Sequence, residues 1–412
     1  MATRPEVELV IRGGHPDFLD LPWGTPLEGW RHDRLVPMAH GISRHVVRFV
    51  RYDRRVYAVK ETAFAAAEHE HAVLRALRDD RLPVVEPVGL VRTRGDGEVA
   101  ALITRYLDFS LPYRHVIGRE VPTPTDVLLD AAVVLLVRLH LAGVFWGDCS
   151  PSNILFRRDA GAMMAYLVDA ETAERRPSIS DPLRAHDLEI AHENLVGGVL
   201  DLQAAGRVEP DVDALAIADD LRHRYEALWA ELTRPEQFDD TERWRIDERV
   251  RRINELGFDV EELTIGAGGD GRQLVITPTV VDEGHHFRAL RQRTGLEVQE
   301  NQARRLLADI ENFRARLEQD EGRPVPDAVG AARWLAEVYE PLVAEVPPGL
   351  ADRLEPPELF HELLEHRHRL AAAAGREVSN PEALADYVTT VLPGRGPEQQ
   401  LLDGEGEPDG EP

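Results

Sequence analysis

The chain has 412 residues, 43% hydrophobic and 30% charged, which suits two or three globular domains and excludes a wholly disordered protein. Its net charge of −26 is too acidic for wrapping nucleic acid, although residues 1–110, with equal numbers of basic and acidic side chains, can still hold a polyanion locally. No apolar run is long enough for a membrane span, and Met1–Glu6 lacks the layout of a signal peptide. A single cysteine, Cys149, excludes an intrachain disulfide, so the expected location is the cytoplasm.

Residues 1–30, rich in Gly, Pro and Trp, read as an irregular lead-in. His45–Tyr52 and Arg55–Thr62 are β-rich runs with Asp53-Arg54 as the turn between them. Phe64–Leu77 has apolar residues at helical spacing, and Pro87–Thr93 and Val99–Leu107 form a second strand pair around Gly95-Asp96-Gly97. Thr123-Pro124-Thr125-Asp126 has the form of a helix start with Thr123 as cap. The helix that follows, Val127–Leu141, is apolar nearly all round and so belongs in a core. Asn153–Arg157 and Met163–Val168 read as strands around Asp159-Ala160-Gly161, and from Ala185 the pattern is mostly helical.

The composition shifts again near Thr233-Arg234-Pro235. Phe258–Ile265 and Arg272–Val280 look like a hairpin, and helices are expected over Glu297–Leu317, Ala328–Val343, Pro357–Ala374 and Pro381–Val391. Residues 393–412 are acidic and rich in Gly and Pro, the composition of a disordered tail. The chain divides into a lead-in at 1–30, a strand-rich lobe at 31–108, a helical lobe at 109–232, an α-rich region at 233–392 and the tail.

Of the 48 basic residues, only Lys60 is a lysine. Arginine serves equally well on a solvated surface, so a lone lysine marks a place where a compact ammonium is needed rather than a planar fork. Lys60 closes the run Val56-Tyr57-Ala58-Val59-Lys60, where strand alternation puts Ala58 and Lys60 on one face. Glu68 and Glu70 follow on the next helix. Further on come Trp146-Gly147-Asp148-Cys149-Ser150-Pro151-Ser152-Asn153, between the buried helix and a strand, and Tyr166-Leu167-Val168-Asp169-Ala170-Glu171 at the end of a strand.

In this order the segments resemble the protein-kinase-like superfamily, nearest in style to the lipopolysaccharide (Kdo) kinases and small-molecule kinases, over roughly residues 33–195. The resemblance implies an α+β, bilobal protein-kinase-like fold with a small antiparallel-sheet N-lobe and a helical C-lobe, followed here by an additional α-rich C-terminal domain. It implies an ATP- and Mg2+-dependent phosphotransferase in which Lys60 meets the phosphates, Glu70 or its competitor Glu68 aims Lys60, and Asp148 orients or accepts the proton of a hydroxyl acceptor. Asn153 and Asp169 would hold the metal. Glu171 reads equally as a further metal ligand or a helix-start acid.

Gly41 and Ser43, in His40-Gly41-Ile42-Ser43-Arg44-His45, would present backbone amides to phosphate, and Arg44 or His45 would add charge. Tyr106 falls at the interlobe hinge, where the backbone reads the adenine edge. Asp187 sits where a helix aspartate would brace the catalytic loop, or else is a first-turn acid. Trp146-Gly147 replaces His-Arg and Ala170-Glu171 replaces Phe-Gly, substitutions at home among small-molecule kinases. Cys149 reads as a small buried filler. The segment 172–186 is short and shows no substrate-peptide anchor, which favours a small-molecule or glycan/lipid acceptor over a protein.

Two further clusters have blander readings. Asp282-Glu283-Gly284-His285-His286 lacks a metal-ligand spacing and reads as a helix start, and His361, His366 and His368 with Glu362 and Glu365 read as a solvated helix face. The region 234–392 resembles an uncharacterised bacterial family found joined to kinase-like lobes, with no chemistry attached. It can cap the site, present a substrate, bind a protein partner or self-associate. The alternative to an enzyme is a nucleotide-binding pseudokinase or regulatory scaffold acting through that C-terminal domain.

Overall fold

The computed structural model describes residues 6–38, 45–53, 55–94, 99–117, 124–234, 236–239, 244–245, 248–249, 251, 260–267, 273–280 and 285–395. Their contacts sort into two compact units. One comprises residues 1–157 and 165–222. The other comprises residues 223–397 together with 158–164.

The first unit opens with six strands, β1 (Glu6–Ile11), β2 (Leu35–Val36), β3 (Val47–Tyr52), β4 (Arg55–Ala63), β5 (Glu86–Arg94) and β6 (Val99–Arg105). They form one antiparallel sheet in the order β1-β5-β6-β4-β3-β2. The lead-in expected to be irregular supplies a strand. Val7, Leu9 and Ile11 alternate along β1 and pack on the sheet, a period-2 pattern outweighed in sequence by the glycines and prolines around it. The rest of that segment lays Phe18, Leu21, Trp23, Leu27 and Trp30 over one face of the sheet, against Tyr57 and Val59 of β4. Ala58 and Lys60 therefore face the other way, as strand alternation requires. On that side lies helix α1 (Phe64–Asp79), packed against β5 and β6 through Ala67, Val73, Leu74 and Leu77.

Next come β7 (Leu111–Pro112), α2 (Tyr113–Ile117) and α3 (Thr125–Leu141). Helix α3 is preceded by Pro124, and the expected cap Thr123 lies outside the described residues. Its apolar sequence is buried almost all round, Leu128 through His140, as its pattern demands. Gly143 follows at φ 75°. Strand β8 (Val144–Phe145) leads into the loop 146–150. A one-turn 3-10 helix, Pro151–Asn153, then hands over to β9 (Ile154–Asp159) and β10 (Ala162–Leu167), which pair in a sheet ordered β10-β9-β7. Leu167 also binds back to the segment after α1, through Val85 N–H to Leu167 O at 3.0 Å and Leu167 N–H to Pro83 O at 2.9 Å. Strand β11 (Glu174–Arg175) pairs with β8, and α4 (Asp181–Ala204) and α5 (Ala214–Thr233) follow.

The second unit carries a three-stranded sheet of β12 (Glu236–Asp239), β13 (Val260–Ala267) and β14 (Gln273–Val280) in the order β12-β14-β13. Its helices are α6 (His285–Thr294), α7 (Glu300–Glu321), α8 (Asp327–Trp334), α9 (Glu340–Ala344), α10 (Pro356–Ala374) and α11 (Asn380–Thr390). A wide π turn at Leu335–Tyr339 joins α8 to α9. Leu290, Leu306, Ile310, Trp334, Phe360, Leu363 and Tyr387 are among its core residues, with Trp334 edge-on to Phe360.

The helix face expected to be solvated is partly core. His361, Glu362 and His366 are buried, because Glu362 accepts from Tyr387 Oη (2.8 Å) and pairs with Arg395, while His366 meets Asp386 at 2.7 Å. Arg54, Gly95-Asp96-Gly97, Asp282-Glu283-Gly284 and most of the acidic tail lie outside the described residues. Among the described helices none is long and apolar enough to cross a membrane.

Candidate active site

Lys60 projects from the middle of the sheet, and its Nζ is the meeting point of three carboxylates. Glu70 Oε2 lies at 3.0 Å, Asp169 Oδ2 at 2.7 Å and Glu171 Oε2 at 3.1 Å. Helix spacing explains the choice of Glu70. It shares a face with Ala67, Val73, Leu74 and Leu77 and is 1% exposed, whereas Glu68 points to solvent. Burial first, and the nearby charge of Asp169 second, push the Glu70 carboxyl up to about 7, while Lys60 pulls it back. Burial works against the Lys60 ammonium, but Glu70 and Asp169 together outweigh it and hold Lys60 above its usual range.

The segment bearing Asp169 is tied down from several sides. Asp169 Oδ1 accepts from Glu171 N–H (3.0 Å), Glu70 Oε1 from Ala170 N–H (3.4 Å), and Asp169 O from Trp146 Nε1 (3.3 Å). Glu171 also meets His45 Nε2 at 2.9 Å.

Asp148 sits in a loop that the backbone alone would not hold. Gly147 has φ 77°, and a Cβ there would come within 3.1 Å of both Thr172 O and the Phe145 ring, so this position favours glycine twice over. Asp187, fully buried on α4, accepts from the N–H groups of Trp146 and Gly147, both at 2.8 Å, and faces His140 Nε2 at 3.1 Å. Burial pushes His140 down despite Asp187. The Asp148 carboxylate is flanked by two amides, Asn153 Nδ2 on Oδ2 at 3.2 Å and Asn194 Nδ2 on Oδ1 at 3.5 Å. Cys149 is buried, and burial pushes its thiol well up, the opposite of an activated nucleophile.

The structure thus gathers Lys60, Glu70 and Asp169 into one cluster, and Asp148 and Asn153 into a second hydrogen-bonded group. Gly41 and Ser43 lie outside the described residues. Tyr106 is placed at the end of β6, but its N–H donates to Val56 O at 2.9 Å, so that amide is not free for an adenine edge. Its ring packs edge-on to Phe49. Sequence reading missed His45 as the partner of Glu171, and also Asn194. The signal for Asn194 was present, since it lies seven residues after Asp187 and so on the same face of α4.

A lysine aimed by a helix glutamate at an aspartate, beside a braced loop, is the arrangement of kinase-like phosphotransferases. The sequence comparison agrees: residues 49–215 match the lipopolysaccharide kinase (Kdo/WaaP) family. Residues 227–392 match a domain of unknown function, DUF4032. A solved structure described as WaaP in complex with acyl carrier protein is 18% identical with a TM-score of 0.35, the match covering 60% of this chain and 99% of that one. Among curated proteins no sequence matches the chain.

Proposed function

We propose that the chain is an ATP- and Mg2+-dependent phosphotransferase of the cytoplasm, acting on the hydroxyl of a small molecule, glycan or lipid. The observation that carries this is the convergence of Glu70, Asp169 and Glu171 on the Nζ of the chain's one lysine. Oxygens of the three acids lie within 4.8 Å of one another, an all-oxygen set with more negative charge than one ammonium balances. That donor set fits a hard divalent cation. Asn153 and Asp169 would hold the metal, with Glu171 in reach, and when bound it neutralises charge on the transferring phosphoryl group.

Lys60 would meet the phosphates as a point charge, with Glu70 fixing its direction. Asp148, held between the side chains of Asn153 and Asn194, would orient the acceptor hydroxyl and take its proton. The short strand β11 ties the segment after Asp169 back to β8, and Arg176 N–H donates to Gly143 O at 2.8 Å. A segment so tied offers little platform for an extended peptide, which supports a small-molecule, glycan or lipid acceptor.

The test is thermal unfolding of the full chain with ATP, in Mg2+ and in EDTA, for wild type and Asp169→Asn. ATP at about 100 times its dissociation constant should stabilise by about 2.7 kcal/mol. The expected shift needs Mg2+ and disappears in Asp169→Asn. No shift in any condition would overturn the proposal.

A further inference from the structure

The turn joining β9 to β10 is made by Ala160 at φ 53° and Gly161 at φ 85°. Two successive left-handed residues close a tight hairpin, but the first is usually Asn, Asp or Gly rather than Ala. The strain at Ala160 is matched by a dedicated acceptor. Glu358 on α10, 2% exposed, takes the N–H of Ala160 at 2.7 Å and that of Gly161 at 3.4 Å.

Beside the turn, the carboxylate of Asp159, 3% exposed, sits at the amino end of α7. It accepts from Gln302 N–H at 2.7 Å, Asn301 N–H at 3.2 Å and Asn301 Nδ2 at 3.0 Å. The amino end of a helix offers such an acid unpaired N–H groups to accept from. Gln302 closes the arrangement, donating from Nε2 to Arg158 O (3.2 Å) and to Glu358 Oε2 (3.0 Å). Residues 158–164 are accordingly counted with the C-terminal unit by their contacts, although the rest of both strands is not.

The strands leaving this turn end at the groups assigned to the metal. Strand β9 begins at Ile154, next to Asn153. Strand β10 ends at Leu167, two residues before Asp169. At this end of the hairpin Val168 N–H donates to Asn153 O at 3.0 Å.

We propose that the C-terminal unit is a clamp for phosphotransfer: Glu358 and the amino end of α7 hold the β9–β10 turn, and the two paired strands transmit that hold to Asn153 and Asp169. Glu358, Asp159 and Asn301 are positioning residues, and none of them meets substrate. The proposal gives the domain of unknown function a role within the chain and rests on the phosphotransferase assignment above.

The test uses the full chain and two variants. Glu358→Gln keeps the size of the acceptor and removes its charge, while Asn301→Ala removes one bond to Asp159 and leaves the core untouched. Amide hydrogen exchange at Val168 is the first readout. It is expected to quicken at least tenfold in Glu358→Gln and about threefold in Asn301→Ala. The second readout is the Mg2+ concentration needed for half the ATP-induced thermal shift. It should rise about three- to tenfold in Glu358→Gln and return toward wild type in Glu358→Asp.

Faster exchange confined to residues 158–164 and 300–303, with Val168 unchanged, would overturn the clamp, because the hold would stop at the turn. An unchanged Mg2+ midpoint in variants with faster Val168 exchange would overturn its link to metal. If Glu358→Gln fails to fold, Asn301→Ala decides both readouts. If wild type shows no Mg2+-dependent ATP shift, the phosphotransferase assignment falls and the clamp stands or falls on Val168 exchange alone.

Discussion

Replacing Asp187 with asparagine exchanges one carboxylate oxygen for an NH2 group at a fully buried point of α4, beneath the loop 146–150. Three donors now converge on Asp187, the N–H groups of Trp146 and Gly147 at 2.8 Å and His140 Nε2 at 3.1 Å. Asparagine can still accept one backbone N–H, but its amide hydrogens then face the other. Losing a hydrogen bond to a charged acceptor costs about 1.5–3 kcal/mol, and an orphaned buried donor adds to that. A loss of about 2–4 kcal/mol is expected in the unit that contains Asp187. For a unit of this size each kcal/mol moves the midpoint by about 2–4 °C, so calorimetry of the full chain should show this transition lowered by about 5–15 °C. The loop should also lose register, because Asp187 holds the N–H groups of Trp146 and Gly147, and without it only the side chains of Asn153 and Asn194 are seen to hold Asp148 among the described residues. The Mg2+-dependent ATP shift should therefore weaken with the stability. A stability loss under about 1 kcal/mol would show that water or His140 satisfies the loop, and would refute the bracing role.

Lys60→Arg should abolish the ATP shift and cut phosphoryl transfer at least tenfold, because a planar guanidinium cannot put one point charge among three carboxylates; near-normal transfer would show that charge alone suffices. Burial, helped by the charge of Glu358, pushes the Asp159 carboxyl up to about 7 from its ordinary 3.8, against the pull of the Asn301 and Gln302 amides. The folded chain therefore keeps a proton that the unfolded chain releases between about pH 4 and 7, and this acid's contribution to stability falls as pH rises. From pH 5 to 8 the loss is about 2–3 kcal/mol. Urea unfolding across that range should show a pH slope in wild type that is reduced by that amount in Asp159→Asn, and identical slopes would refute it.

What the sequence disclosed, it disclosed through local pattern. Strand alternation placed Lys60 on the face opposite Tyr57 and Val59, helical spacing favoured Glu70 over Glu68 without excluding Glu68, and the apolar run before Gly143 declared a core helix. Two kinds of feature stayed hidden. One is pattern masked by composition, as with Val7, Leu9 and Ile11 among glycines and prolines. The other is pairing at long range. Nothing near Ala160 announces Glu358, 198 positions on, and nothing near Glu171 announces His45. The polar face of α10 was misjudged for the same reason: His361 and Glu362 look solvated until the helices that cover them are placed.

The turn at Ala160 and Gly161 also sets an order of events during synthesis. A ribosome adds about 5–20 residues per second, so the 198 positions that separate Ala160 from Glu358 take about 10–40 s to make. Throughout that interval the two turn amides lack Glu358 as partner, and Asp159 has no helix end to meet until Asn301, 142 positions on, has been made. The hairpin that joins Asn153 to Asp169 is thus among the last parts of the kinase-like region to be secured, although it is made well before the halfway point of the chain. A nascent chain that stalls before α10 carries every residue assigned to phosphotransfer and still lacks the acid that holds the turn between them, so under the proposed clamp chemistry waits on the synthesis of α10.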